Sequence, residues 1–265
     1  MDVFDNRYLT GLGFKAQHAY NDRFEHQVIQ RSMNLLKRRY RTKRAKWNAT
    51  PHKTGSKLGL FYDRHFVDHA FIRALNRNFH ALDANVYRGS QPSPRFIKQL
   101  KAKGFKTIIN LRGENKSASY ILEKQACEKY SVRLINTKLN SRRIPEPKEF
   151  RQWLDFVNNC EKPVMFHCKS GADRAGIAAA MYVLIHTDLG IDEAKKQLSL
   201  RYYHLSHSKT GILDHFIDAY AQFNAHTPIA FVDWYEQHCD RDAIAASFKP
   251  STLSNWLVEK VLRRE

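Results

Sequence analysis

The sequence predicts an α/β fold, with a mostly parallel four- to five-stranded sheet flanked by helices and with helical N- and C-terminal extensions. The first observation is that short apolar segments alternate with longer helix-like segments, which is the order expected of a parallel sheet covered by helices. The second is that Pro94 stands near the start of the first predicted helix and Gly104 just past its end, as helix capping predicts.

The predicted elements alternate along the chain from residue 85 onwards. The strands are 85–88, 107–111, 133–136 and 163–168. The helices are 93–103, 119–130, 147–159, 174–187, 191–202, 210–224, 233–246 and 253–263. The apolar run 175–185 is far too short to span a bilayer, so we interpret it as part of a buried helix.

Two regions differ in charge. Residues 1–55 contain twelve Lys or Arg against four Asp or Glu, and we predict a basic helical arm, partly disordered in one interpretation. Residues 56–265 form the predicted α/β domain with its C-terminal helical extension. The segment Lys37–Lys46 carries seven basic residues, which would suit an anionic membrane surface, while nucleic acid is an alternative partner that we do not expect to be the main one. A solvated arm is the competing interpretation.

Composition limits the function classes. A hydrophobic fraction of 43% and an aromatic fraction of 12% exclude disorder throughout. The net charge of +18 predicts attraction to polyanions, including phosphorylated substrates. The four cysteines contain no C-x-x-C pair, and the first residues have no apolar run, so we expect a reducing, cytoplasmic location, with membrane-peripheral association as a further option.

The most informative segment is 164–176, which reads as an apolar strand, a polar loop and the start of an apolar helix. Cys168 closes the strand, and Arg174 opens the helix after five intervening residues. Backbone N–H groups in such a loop face an anion placed at the helix N-terminus. The candidate phosphate-binding residues of the loop are Lys169, Ser170, Gly171 and Ala172.

These residue types suit nucleophilic attack on phosphorus. A thiol attacks as the thiolate, which the helix N-terminus, the loop N–H groups and Arg174 would all favour at Cys168. The guanidinium of Arg174 can grip two phosphoryl oxygens. Gly171 allows the tight turn, and His167 can hydrogen-bond nearby backbone.

The pattern His167-Cys168-x5-Arg174, with Gly171 inside it and Gly176 after it, resembles the signature loop of the cysteine-dependent protein tyrosine and dual-specificity phosphatases. Weaker similarity to bacterial members extends the resemblance over residues 64–265. The similar segments are 87–92, 108–113, 197–204 and 233–265. The resemblance implies a phosphotyrosine phosphatase-like fold, a phosphocysteine intermediate, phosphate held by the arginine, no metal and no cofactor.

Two positions depart from the pattern of that family. Ala175 follows the arginine where the family usually has Ser or Thr, whose hydroxyl supports the departing thiolate. The stretch 136–149, where the family carries an acidic aspartate, has no aspartate. Asp173 is therefore ranked first as the general acid, with Glu146 and Glu149 as the other candidates.

The expected function is phosphomonoester hydrolysis, with phosphorylated protein as the default substrate. A phospholipid or phosphoinositide head group is the alternative, because of the basic arm and the composition of residues 169–173. A phosphate-binding module with weak catalysis stays open because of Ala175.

Further candidates lie outside the loop. Arg112 follows the second predicted strand and is either a substrate contact or a capping or ion-paired arginine. Residues 141–143 either face the phosphate pocket or form a solvated basic loop. His204, His207 and His215 lack the spacing of a zinc site, so we favour surface or core histidines.

Overall fold

The computed structural model describes residues 77–249, and these contain a five-stranded sheet in the order β1-β2-β5-β3-β4. The strands are β1 (His80–Ala81), β2 (Val86–Ser90), β3 (Thr107–Asn110), β4 (Arg133–Asn136) and β5 (Val164–Cys168). β1 pairs antiparallel with β2, whereas every other pair is parallel. The predicted α/β class with a mostly parallel sheet is therefore confirmed.

Helices cover both faces of this sheet. They are α1 (Pro94–Ala102), α2 (Ala118–Lys129), α3 (Pro147–Asn159), α4 (Asp173–His186), α5 (Gly190–Lys196), α6 (Ile212–His226), α7 (Phe231–Gln237) and α8 (Arg241–Ser247). Ser93 and Ser117 begin the first two, because each hydroxyl accepts a hydrogen bond from an N–H of the first helical turn. Two 3₁₀ turns, Leu200–Tyr202 and Lys209–Gly211, precede α6.

The central strand β5 positions the chemistry. All five of its residues are buried, as expected for a parallel strand covered on both faces. Its register sets Cys168 opposite Ser90 of β2 and His167 opposite Asn110 of β3. The carboxyl ends of these strands therefore meet at one edge of the sheet, where α/β folds bind their ligands.

Two apolar cores lie on opposite faces of the sheet. The larger packs β5 and α4 against residues of α3, α6 and α7, including the buried rings of Trp153, Phe216 and Trp234. The smaller joins Met165 of β5 to residues of α1 and α2, such as Leu100. These cores hold the carboxyl edge of β5 at a fixed position.

The structure corrects two predictions of secondary structure and adds one strand. The helix predicted over 191–202 ends at Lys196, because Ser199 is extended and Tyr203 takes a left-handed conformation with φ of 64°. The helix predicted over 233–246 is two helices, the second capped by Asp240, whose carboxylate accepts from the N–H of Ala243. The two-residue strand β1 was not predicted.

The predicted basic arm of residues 1–55, the segment Lys37–Lys46 and the predicted helix 253–263 lie outside the described residues. Between residues 77 and 249, no helix is long and apolar enough to cross a membrane.

Candidate active site

The loop between β5 and α4 places Cys168 and Arg174 at the two ends of one tight turn. Cys168 is the last residue of β5 and is 3% exposed, and α4 begins at Asp173, directly before Arg174. Gly171 has φ of 77°, and a Cβ there would lie 2.8 Å from backbone atoms of Gly89 and Ser90. Only glycine fits this position, as the sequence predicted.

Every carbonyl of residues 168–172 is held by a hydrogen-bond donor. The carbonyl of Cys168 accepts from His167 Nδ1 at 3.0 Å, and that of Lys169 accepts from the backbone N–H of Gln91 at 3.3 Å. The carbonyl of Ser170 accepts from Asn78 Nδ2 at 3.1 Å. Nη2 of Arg88 donates to the carbonyls of Gly171 at 2.7 Å and Ala172 at 3.3 Å. The C=O and N–H of a planar trans peptide point in opposite directions. The N–H groups of residues 169–173 are therefore turned away from these donors.

The start of α4 adds to this arrangement. Its N-cap residue is Ala172, which has no side chain that could accept from the first N–H groups of the helix. A Ser or Asp at that position would normally satisfy them. Together with the N–H groups of the loop, they make up a cluster of backbone donors between Cys168 and Arg174, which suits a phosphate dianion.

Arg88 is the main support of the loop and was not identified from the sequence. It is fully buried on β2, and its Nη1 donates to the backbone carbonyl of Gln197 at 2.7 Å and to its side-chain oxygen at 3.0 Å. Its guanidinium also lies 4.0 Å from the ring centroid of Tyr202. Burial lowers the pKa of Arg88 to about 10, so it stays charged at neutral pH.

A second buried network reaches the loop through His167. Its Nε2 lies 2.5 Å from Oε1 of Glu123, and both side chains are fully buried. Oε2 of Glu123 accepts from Gln91 Nε2 at 2.6 Å, and Oε1 of Gln91 accepts from Arg112 at 2.5 Å. Arg112 therefore lies just after the carboxyl end of β3 and is linked through Gln91 and Glu123 to His167.

Asp173 is held by a buried histidine. Nδ1 of His204 lies 2.8 Å from Asp173 Oδ1, and its Nε2 lies 2.6 Å from Asp214 Oδ2 on α6. Burial by itself would lower the pKa of His204, but the hydrogen bonds to the two carboxylates outweigh it and raise the pKa to about 9. His204 is thus a buried, charged histidine at neutral pH.

The raised pKa of His204 predicts a pH dependence of stability. Because the unfolded value is about 6.5, the contribution is fully present below pH 6.5 and is lost as the pH rises through about 9. We expect the free energy of unfolding to fall by up to about 3 kcal/mol over this window. Urea titrations at pH 6, 7.5 and 9 would measure it. The loss should be absent in His204→Gln and retained in His207→Gln, which changes an exposed histidine; equal loss in all three proteins would contradict the assignment.

The other candidate acids make structural contacts. Glu146 precedes α3 and pairs with Arg143 at 3.0 Å and with Arg241 at 2.6 Å. Glu149 accepts from the backbone N–H of Glu146 and pairs with Arg143 at 2.6 Å. These carboxylates fix the start of α3. In the predicted basic loop 141–143, the guanidinium of Arg143 therefore pairs with Glu146 and Glu149.

The remaining histidine candidates do not converge on one site. His215 Nε2 lies 2.8 Å from the hydroxyl of Ser247, whereas the ring nitrogens of His204 contact the carboxylates of Asp173 and Asp214, so the two histidines have separate surroundings. Among residues 77–249, no group of three or more His, Cys, Asp or Glu side chains could hold a metal ion.

Ala175 is fully buried in the larger core directly after Arg174.

A family model matches the part of the chain that contains this loop. Residues 70–211, more than half of the chain, match a family model described as a DSP-PTPase phosphatase fused to NAD+ kinase. No curated protein matches the chain. Similar solved structures include TpbA of P. aeruginosa, with 16% identity and a TM-score of 0.45 over 65% of this chain and 91% of that one. Another is the catalytic core of the PP-IP phosphatase SIW14 of S. cerevisiae, with 15% identity and a TM-score of 0.43 over 58% and 96% of the two chains.

Proposed function

The chain belongs to the family of DSP-PTPase phosphatases described as fused to NAD+ kinase, and we propose that it hydrolyses phosphate monoesters through a phosphocysteine intermediate on Cys168. One observation carries this proposal. The carbonyls of residues 168–172 are all held by donors, so that five consecutive N–H groups turn the other way, between Cys168 and Arg174. Such a cluster stabilises the negative charge on a phosphoryl group during its transfer.

In the proposed first step, Sγ of Cys168 attacks phosphorus and the bond to the leaving oxygen breaks. Arg174 and the loop N–H groups hold the non-bridging oxygens. Asp173 is the proposed acid, because it lies in the loop itself; since it accepts from the charged His204, we propose that it takes the Nδ1 proton of His204 and passes it to the leaving oxygen. Water then attacks the phosphocysteine, the P–S bond breaks, and inorganic phosphate leaves with the thiolate restored.

Phosphorylated protein, with phosphotyrosine as the first choice, is the proposed substrate. A phosphoinositide head group is the second candidate, and one observation favours it. Basic residues follow the carboxyl ends of three neighbouring strands, and an isolated bridge joins the backbones of two of them, Arg112 and Lys138. The third is Lys169 after β5. A substrate with several phosphates would profit from such clustered charge.

The experiment that tests the proposed function is rapid mixing with p-nitrophenyl phosphate. Sustained release of many equivalents supports an enzyme, a single burst that stalls indicates a trapped phosphocysteine, and no release contradicts the proposal and favours a binding module. Because Ala175 cannot donate to the departing thiolate, we expect breakdown of the intermediate to be slow. Ala175→Ser should speed the steady state about tenfold, the value of one hydrogen bond to a charged group, without changing the burst rate.

Ala178→Ser is the matched control, since it adds the same hydroxyl to another fully buried alanine of α4. It should leave the ratio of burst to steady-state rate unchanged. An unchanged ratio in Ala175→Ser would show that another group already supports the thiolate.

A further inference from the structure

Glu123 is a buried carboxylate to which the proposed mechanism gives no role. It lies in the middle of α2 and is fully buried, although a carboxylate is costly to bury unless it is paired and hydrogen-bonded. Both of its oxygens are engaged, Oε1 with His167 Nε2 at 2.5 Å and Oε2 with Gln91 Nε2 at 2.6 Å. An apolar side chain at this position would extend the core, so the carboxylate needs an explanation.

The hydrogen bonds fix the proton on one ring nitrogen of His167. Its Nδ1 lies 3.0 Å from the carbonyl oxygen of Cys168, which can only accept, so Nδ1 carries a hydrogen. Arg112 donates to Gln91 Oε1, which leaves the NH₂ group of Gln91 to donate to Glu123. Oε2 of Glu123 accepts from this amide, and the short contact of Oε1 with Nε2 suits a carboxylate that accepts from a doubly protonated imidazole.

Two further titratable groups on α2 lie close enough to Glu123 to interact with its charge. On α2 itself, burial and then the charge of Glu123 raise the pKa of Cys127 to about 12. Burial, then the charge of Glu114 and least of all the charge of Glu123, raise the pKa of Tyr120. The groups that face Glu123 from other elements are His167 of β5 and Gln91 after β2, which links Glu123 to the guanidinium of Arg112.

We propose that Glu123 is a positioning residue for the nucleophile, which it serves through His167. By keeping His167 protonated on both nitrogens, it holds the carbonyl of Cys168 outward and places a positive charge next to the thiolate. The N–H of Lys169 then stays turned into the phosphate cluster, because it belongs to the same peptide plane. This inference rests on the proposed role of Cys168 as nucleophile.

Glu123→Gln tests the inference, because glutamine keeps the shape and one hydrogen bond but loses the charge. A buried imidazolium without its carboxylate would lose a proton, so the thiolate becomes less favoured. We expect the pH midpoint for alkylation of Cys168 by iodoacetamide, followed by mass spectrometry of its peptide, to rise by about one unit. The value of kcat/KM at pH 6 should fall about tenfold, mainly through kcat.

Glu128→Gln, an exposed change on the same helix, is the matched control and should follow the wild type. Coincident alkylation profiles for Glu123→Gln and the wild type would overturn the inference. If Glu123→Gln does not fold, ¹⁵N spectra of the wild-type imidazoles decide: His167 should be protonated on both nitrogens at pH 7, and an unprotonated Nε2 contradicts the inference. Alkylation and spectra need no substrate, so both measurements test Glu123 even if the wild type hydrolyses nothing.

Discussion

Replacing Cys168 with serine is expected to reduce hydrolysis of p-nitrophenyl phosphate by at least ~10⁴-fold, the usual loss when a covalent nucleophile is removed. A serine hydroxyl stays protonated in this loop, whereas the proposed mechanism needs an anion at the end of β5. Binding should persist, because the N–H groups of residues 169–173 and Arg174 are unchanged. The measurement is kcat together with the Kd for a phosphotyrosine peptide.

Cys239→Ser is the matched control for this loss. Cys239 is half-buried, and burial raises the pKa of its thiol to about 12, so it is a poor nucleophile at neutral pH. We expect this variant to keep wild-type activity. A Cys168→Ser protein with wild-type turnover would contradict the proposed chemistry outright.

The same Cys168→Ser protein separates the two candidate substrates. Incubated with a phosphotyrosine peptide and, separately, with vesicles containing a phosphoinositide, it should retain the peptide more tightly if phosphorylated protein is the substrate. Preferential retention of the phosphoinositide vesicles would support the second candidate, in agreement with the basic residues Arg112, Lys138 and Lys169 at the edge of the sheet.

The chemical core of the site could be predicted from the sequence because its parts are contiguous. Cys168, Gly171 and Arg174 lie within seven residues, and strand, turn and helix start follow from local chemistry. The groups that turn the loop carbonyls could not be predicted in this way. Asn78 and Arg88 lie 92 and 83 residues from the carbonyls that they hold, a separation that no local pattern encodes.

Tertiary contacts also explain why the helix predicted over 191–202 ends at Lys196. Arg88 donates to the carbonyl of Gln197, which a continuing helix would need for the N–H of Arg201. The chain instead becomes extended at Ser199, and His204 reaches Asp173. One signal in the sequence could have indicated this: an arginine within a buried parallel strand, next to Gly89 and Ser90, requires acceptors from elsewhere in the fold.

Replacing Arg88 with methionine is expected to lower kcat/KM by about 100-fold or more and the free energy of unfolding by about 2–4 kcal/mol. Methionine removes the cost of burying a guanidinium, the cost that lowers the pKa of Arg88 to about 10. It also leaves the carbonyls of Gly171 and Gln197 without their donor. The second effect should dominate, because several buried acceptors lose their hydrogen bonds at once.

The loss of activity should come from rotation of the peptide planes after Gly171 and Ala172, whose N–H partners would leave the phosphate cluster. Affinity for inorganic phosphate should therefore fall even well below the Tm of the variant, where the protein is folded. Arg88→Lys keeps a charge but cannot reach both Gly171 and Gln197 with one ammonium, so it should recover stability more than activity. Arg151→Met, which removes an exposed arginine paired with Glu236, is the control and should change neither quantity. Wild-type phosphate affinity in folded Arg88→Met would mean that the loop keeps its shape unaided, and the support assigned to β2 would be wrong.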